Sequence, residues 1–263
     1  MQDLKITLIQ TSLAWEDPDD NLTHFRKLIS GNNISTDLII LPEMFNTGFT
    51  MAAAKNAETM NGKTMDWILE VARVNQCAVC GSLIIEENKK YYNRLIWMHP
   101  DGNYEYYDKR HLFRMGDEHN HFSAGQKKLI VDLKGWKVSP LICYDLRFPV
   151  WSKNRYSNGI YEYDLLVFVA NWPAVRIAAW TALIKGRAIE NLAYAAGVNR
   201  TGRDGRGYEY SGGSMVAAPW GEAIASAESD REQILNVSLD HAALHDIRSK
   251  IGVGEDWDTF EMR

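Results

Sequence analysis

The sequence predicts an α/β domain in which layers of β-sheet are covered by helices. Three observations carry this expectation. A strand-like run at residues 4–9 and short apolar runs at 38–41, 78–85 and 165–170 follow the pattern of buried strands. Segments with helical apolar spacing alternate with them through the first half of the chain. Hairpin signals then persist in the second half, which favours sheet layers over a helical bundle. No linker, internal repeat or low-complexity block interrupts the 263 residues, so one domain over 1–263 is expected.

Residues 4–9 read as the first strand. Behind acidic Asp19 and Asp20, residues 21–29 place Leu22, Phe25, Leu28 and Ile29 on one helical face. The run Leu38-Ile39-Ile40-Leu41 stops at Pro42-Glu43, so Glu43 stands at the carboxyl end of a strand. Residues 64–74 read as a helix with Met65, Ile68, Leu69 and Ala72 inward, and 78–85 as the next buried strand. Strands at 91–98 and 104–107 flank Pro100-Asp101-Gly102-Asn103, whose Asp-Gly pair signals a hairpin. Lys109 follows it. Residues 110–126 lack periodicity and are polar, His-rich and Gly-containing, the character of a functional loop. A hairpin across Lys134-Gly135 pairs 129–133 with 136–142 and delivers Cys143 to a polar turn. Beyond it, 150–158 reads as helix, 165–170 as strand and 178–193 as helix, with further strands at 194–199, 214–218 and 234–239. The Gly- and Arg-rich stretch 201–213 lacks the lysine and spacing of a phosphate-cradling loop and reads as a surface loop.

The composition is 46% hydrophobic and 24% charged with a net charge of -5, which argues against a phosphate-backbone partner. The start, Met1-Gln2-Asp3-Leu4-Lys5, lacks a signal-peptide pattern, and no apolar run approaches a membrane span, so a cytoplasmic protein is expected. Three cysteines, Cys77, Cys80 and Cys143, are a sparse and odd set that suits a reducing compartment. Cys77-Ala78-Val79-Cys80 has no second pair to complete a metal site and sits in an apolar run, so buried strand is its expected role and no metal or cofactor is expected.

Glu43, Lys109 and Cys143 share one context, a strand giving way to polar sequence. In α/β sheets such ends face the ligand crevice. A cysteine attacks as its thiolate, a glutamate can take the thiol proton, and an ammonium can stabilise an oxyanion. From the residues alone the alternatives stay open: an unpaired cysteine also serves as a small core hydrophobe, and charges beyond strand ends are commonly solvated.

Leu41-Pro42-Glu43, Asp108-Lys109-Arg110-His111-Leu112-Phe113 and Leu141-Ile142-Cys143-Tyr144-Asp145-Leu146-Arg147-Phe148-Pro149 resemble the three signature segments of the nitrilase superfamily of carbon-nitrogen hydrolases, in the family's order. The similarity continues through Gly186-Arg187-Ala188-Ile189-Glu190-Asn191 and covers nearly the whole chain. It implies a four-layer αββα sandwich, a Glu43-Lys109-Cys143 triad, a homodimer and, in the loop after the lysine, a second glutamate, for which Glu118 is the match. Cys143-Tyr144-Asp145 departs from the Cys-Trp-Glu of nitrilases proper and is similar to the omega-amidase branch, which hydrolyses the terminal amide of 2-oxo acids such as 2-oxoglutaramate or 2-oxosuccinamate. Asn171-Trp172-Pro173-Ala174-Val175-Arg176 replaces the Gly-Pro-Ala-His-Trp segment of many members of that branch.

The implied chemistry is acyl transfer through a thioester, with the oxyanion held by Lys109 and the backbone N–H of Tyr144. A substrate carboxylate calls for a guanidinium, and Arg176 and Arg147 are the candidates. Phe45, Phe113, Tyr144 and Trp172 are candidate aromatic walls of the pocket. The competing expectations are hydrolysis of another amide or a carbamoyl amino acid on the same fold, and a catalytically silent binding member.

Overall fold

A computed structural model describes residues 2–32 and 34–261; Met1, Asn33, Met262 and Arg263, which the one-domain expectation includes, lie outside the described residues. Two six-stranded sheets face each other. The first has the spatial order Gln233–Leu239, Leu4–Gln10, Leu38–Ile40, Ala78–Glu87, Lys90–Met98, Tyr104–Asp108. The second runs Ala223–Ser226, Met215–Ala217, Tyr194–Asn199, Leu165–Ala170, Trp136–Ile142, Val131–Leu133. In each sheet the three central strands are parallel and the outer ones antiparallel.

Strand alternation sorts the apolar side chains into layers. Leu38 and Ile40 point between the sheets, where they join Leu4, Ile6, Leu8 and Trp97 of their own sheet, all without solvent exposure, and meet Val138, Val167 and Val169 of the second. Ile39 points the other way, with Ile9, Leu41 and Val79, against Leu22, Phe25 and Ile29 of the helix Pro18–Gly31 and Met65, Ile68 and Ala72 of the helix Lys63–Asn75. On the far side, Trp180, Ile184 and Ala188 of the helix Ile177–Asn191 cover the second sheet. Gly197 permits that contact, because a Cβ there would lie 2.6 Å from the Trp180 ring. The result is the αββα order expected from the resemblance. Among the described residues no helix is long and apolar enough to cross a membrane.

Cys77 and Cys80 fall in different layers, Cys77 with the helices and Cys80 between the sheets, and both are free. Burial, with a contribution from Asp37, pushes the Cys77 thiol up to about 12, and burial also raises Cys80, so neither is poised for thiolate chemistry.

Two expectations are corrected. The helix expected over 150–158 is only Pro149–Ser152, because Asn158 and Gly159 adopt positive φ (52° and 80°) and turn a two-stranded ribbon, Tyr156–Ser157 with Ile160–Tyr161. The loop expected over 201–213 contains the hairpin Thr201–Arg203 with Glu209–Ser211. The sequence reading also left out the strand Ala223–Ser226 and the helix His241–Ile251, whose first turn is capped by Asp240 accepting from the Ala243 N–H at 2.9 Å.

Candidate active site

Strand ends from both sheets meet at one end of the sandwich. The chain leaving Leu38–Ile40 is held by the neighbouring strand: the Leu41 N–H donates to the Cys80 carbonyl and the Met44 N–H to Ser82 Oγ at 2.9 Å. Gly81 makes room for this segment, since a Cβ there would lie 2.8 Å from Leu41 Cβ. Glu43 is thereby fixed with no solvent exposure. Lys109 is fixed through its own backbone, donating to the Asn93 carbonyl at 3.0 Å and accepting from the Gly125 N–H at 2.9 Å.

The second sheet contributes Cys143, which follows the strand Trp136–Ile142 with φ 41° in the left-handed region. Strain of that kind persists only where the surroundings over-determine it. Here Asp145 supplies the restraint. Its buried carboxylate accepts from the Ile142 N–H (3.1 Å), the His111 N–H (3.0 Å) and the Tyr107 hydroxyl (2.8 Å), tying the cysteine turn to the segment that follows Lys109. His111 in turn stacks on Phe148 at 3.7 Å between ring centroids.

Glu43, Lys109 and Glu118 form a buried chain of charge. The Lys109 ammonium donates to Glu43 Oε1 at 2.8 Å and to Glu118 Oε1 and Oε2 at 3.0 and 2.9 Å. Burial alone would lower its pKa, but the Glu118 and Glu43 carboxylates outweigh that and keep it charged. Burial raises the Glu118 carboxyl, with Lys109 opposing. The Cys143 thiol is pushed well above its ordinary range, first by burial and then by the Glu43 charge, against the pull of Lys109. At neutral pH this cysteine rests as a thiol, and attack requires a base.

Glu43, Lys109 and Cys143 floor a pocket whose walls include Phe49, Phe113, Tyr144, Asn171, Trp172, Arg147 and Arg176. Its atom-free space, the open mouth included, is 670 Å³. Among the described residues no cluster of metal-ligating side chains occurs.

The carbon-nitrogen hydrolase family model matches residues 5–249. The chain belongs to the carbon-nitrogen hydrolase family. It is 44% identical to the omega-amidase YafV of Escherichia coli (strain K12) over 262 residues, 100% of both chains. With the 2-oxoglutaramate amidase of Bacillus subtilis (strain 168) it shares 31% identity over 95% of this chain and 96% of that one. Among solved structures, XC1258 of Xanthomonas campestris, a CN-hydrolase superfamily protein with an arsenic adduct in its active site, superposes with a TM-score of 0.98 at 41% identity, covering 100% of both chains.

In this carbon-nitrogen hydrolase, one expected pocket residue is misplaced. Phe45 packs into the helical layer, 5.7 Å from the Phe25 ring and 5.8 Å from that of Trp67. Phe49 takes the place by the pocket, its ring 5.2 Å from Lys109 Nζ. Phe113, Tyr144, Trp172, Arg147 and Arg176 do line the cavity. The sequence reading also missed the 201–213 hairpin, which brings Asp204, Arg206, Tyr208 and Tyr210 to the wall. Asp204 orders that hairpin by accepting from the Arg206 and Tyr208 N–H groups, each at 2.9 Å, and from the Tyr210 hydroxyl at 2.9 Å. Asn93, buried beside Arg94 in the strand Lys90–Met98, was missed as well; the polar first half of that strand carries no pattern that singles it out.

Proposed function

We propose that this enzyme releases ammonia from the terminal amide of a small 2-oxo dicarboxylic acid monoamide, 2-oxoglutaramate or 2-oxosuccinamate. The names of the two amidase relatives support that substrate class. The observation that carries it is the pocket mouth. Arg147, Arg176 and Arg206 all line it, and none makes an ion pair among the described residues, although the chain as a whole has a net charge of -5. Arg147 lies over the Trp172 ring at 4.9 Å and Arg176 over the Phe113 ring at 5.2 Å, an arrangement that suits a carboxylate held by guanidinium groups.

In the mechanism, Glu43 takes the Cys143 proton and the sulfur attacks the amide carbonyl. Lys109 and the Tyr144 N–H hold the oxyanion; one ammonium N–H serves Glu43, a second is shared between the two Glu118 oxygens, and the third is available to the pocket. Glu43 returns its proton to the departing ammonia, leaving a thioester, and then activates water to release the acid and regenerate the thiol. Glu118, with its oxygens already occupied by donors, orients Lys109. The reading takes the whole chain as one hydrolase domain acting in the cytoplasm, where three free cysteines are at home.

The test is an ammonia-release panel of 2-oxoglutaramate, 2-oxosuccinamate, glutamine, a carbamoyl amino acid and an aliphatic nitrile, with wild type, Cys143→Ala and Arg176→Ala. Wild type is expected to prefer the 2-oxo acid amides, Cys143→Ala to be silent, and Arg176→Ala to raise KM about tenfold or more for them, the loss of a charge-assisted contact. An unchanged KM removes Arg176 from the carboxylate site, and carbon dioxide release would identify a carbamoylase instead.

We further propose a homodimer. Exposed Ile189, Trp220 and Ile224 lie near one another at the edge of the second sheet, where the Ile189 side chain abuts Gly221. Light scattering is expected to give twice the chain mass, and Trp220→Lys to shift it toward monomer. A monomeric wild type at micromolar concentration would refute this.

A further inference from the structure

Counting the donors on each carboxylate oxygen separates the two buried glutamates. Asn93 Nδ2 donates to Glu43 Oε1 at 2.8 Å and to Glu118 Oε1 at 3.1 Å. Lys109 Nζ donates to the same two oxygens, at 2.8 and 3.0 Å. Each Oε1 therefore has both lone pairs engaged. Glu118 Oε2 is also full, accepting from Lys109 at 2.9 Å and from the Phe113 N–H at 2.6 Å. Among the described residues, Glu43 Oε2 accepts only from the Asn171 N–H, at 2.9 Å. Of the roughly eight acceptor positions on the pair, the one left for a proton is on Glu43 Oε2.

We propose that Asn93 is a positioning residue that makes Glu43 the base of this site and directs the Cys143 proton to its Oε2. Its amide orientation is dictated by the charges around it, since the opposite orientation would aim Oδ1 at two carboxylates. In the present orientation Oδ1 has no partner among the described residues, a cost borne by a fully buried amide. Without the Nδ2 donor, an acceptor position opens on Oε1 of each glutamate, and the proton can settle on Glu118 or on the far oxygen of Glu43. Loss of a donor to the charged form also lets the pair bind a proton at higher pH.

The inference rests on the proposed role of Glu43, so the experiment has one readout that needs no substrate. Infrared difference spectra between neutral and mildly acidic pH follow the buried carboxyl band in wild type, Glu43→Gln, Asn93→Leu and Asn93→Leu/Glu43→Gln, with Asn93→Ser replacing Asn93→Leu if the latter does not fold. The band is expected to be stronger in Asn93→Leu/Glu43→Gln than in Glu43→Gln, because the Glu118 oxygen freed of Asn93 takes the proton. Kinetics on the best amide should show kcat of Asn93→Leu down by about tenfold or more, part of what a positioned base supplies, with KM retained and the acid limb of kcat/KM moved to higher pH. A band no stronger in the double variant than in Glu43→Gln overturns the proposal whatever the activity. The expected spectra in a protein that hydrolyses no amide would support Asn93's role while refuting the amidase reading.

Discussion

Lys109→Ala is expected to reduce ammonia release by at least about a hundredfold, and to do so in a protein that still folds. The ammonium is fully buried and holds Glu43 and Glu118 together at 2.8 to 3.0 Å. Removing it leaves two buried carboxylates joined only through Asn93, so one of them must take a proton. Deleting one partner of a buried ion pair costs about 3–5 kcal/mol, within reach of a domain's usual total of about 5–15 kcal/mol. Losing an oxyanion donor costs a further ~2.7–4 kcal/mol in the transition state, which sets the size of the rate loss. Urea unfolding measures the first effect and steady-state turnover the second. A folded Lys109→Ala enzyme with near-normal turnover would rule out its role at the oxyanion.

The layers were legible because apolar β-branched runs have few alternatives, and the strand ends were legible because each run stops abruptly at a polar residue. Side-chain direction just past a strand end was not. Glu43 faces the pocket, but Met44 takes φ 42°, a left-handed turn that sends Phe45 back into the helical layer. Nothing in Pro42-Glu43-Met44-Phe45 announces that turn; it is imposed by Ser82, whose hydroxyl and carbonyl accept from the Met44 and Phe45 N–H groups. The 201–213 hairpin was opaque for a related reason. Its polar composition is that of a solvated loop, and its place at the pocket depends on Arg200, buried with no exposure and donating to the Leu13 carbonyl at 3.2 Å, a contact 187 residues away in sequence. Such long-range anchoring leaves no local pattern to read.

Glu43→Gln is expected to separate turnover from thiol reactivity. Glutamine matches the shape of Glu43 and leaves Lys109 paired with Glu118, so the fold should survive. Its NH₂ group must face either the Asn171 N–H or the donors Asn93 and Lys109, a mismatch of about 1–3 kcal/mol. An amide cannot accept the thiol proton, so hydrolysis should fall by about 10²–10⁴-fold, the usual contribution of a positioned base. The thiol itself responds in the opposite sense. After burial, the Glu43 charge is the next largest influence raising the Cys143 pKa, and Lys109 is the one lowering it. Removing the glutamate charge therefore lowers the thiol pKa, and the midpoint of iodoacetamide alkylation against pH should move to lower pH in Glu43→Gln. If Glu43 acted only by packing, turnover and alkylation would decline together with no shift of the midpoint. A midpoint that moves up would refute the Glu43 charge as an influence that raises the Cys143 pKa.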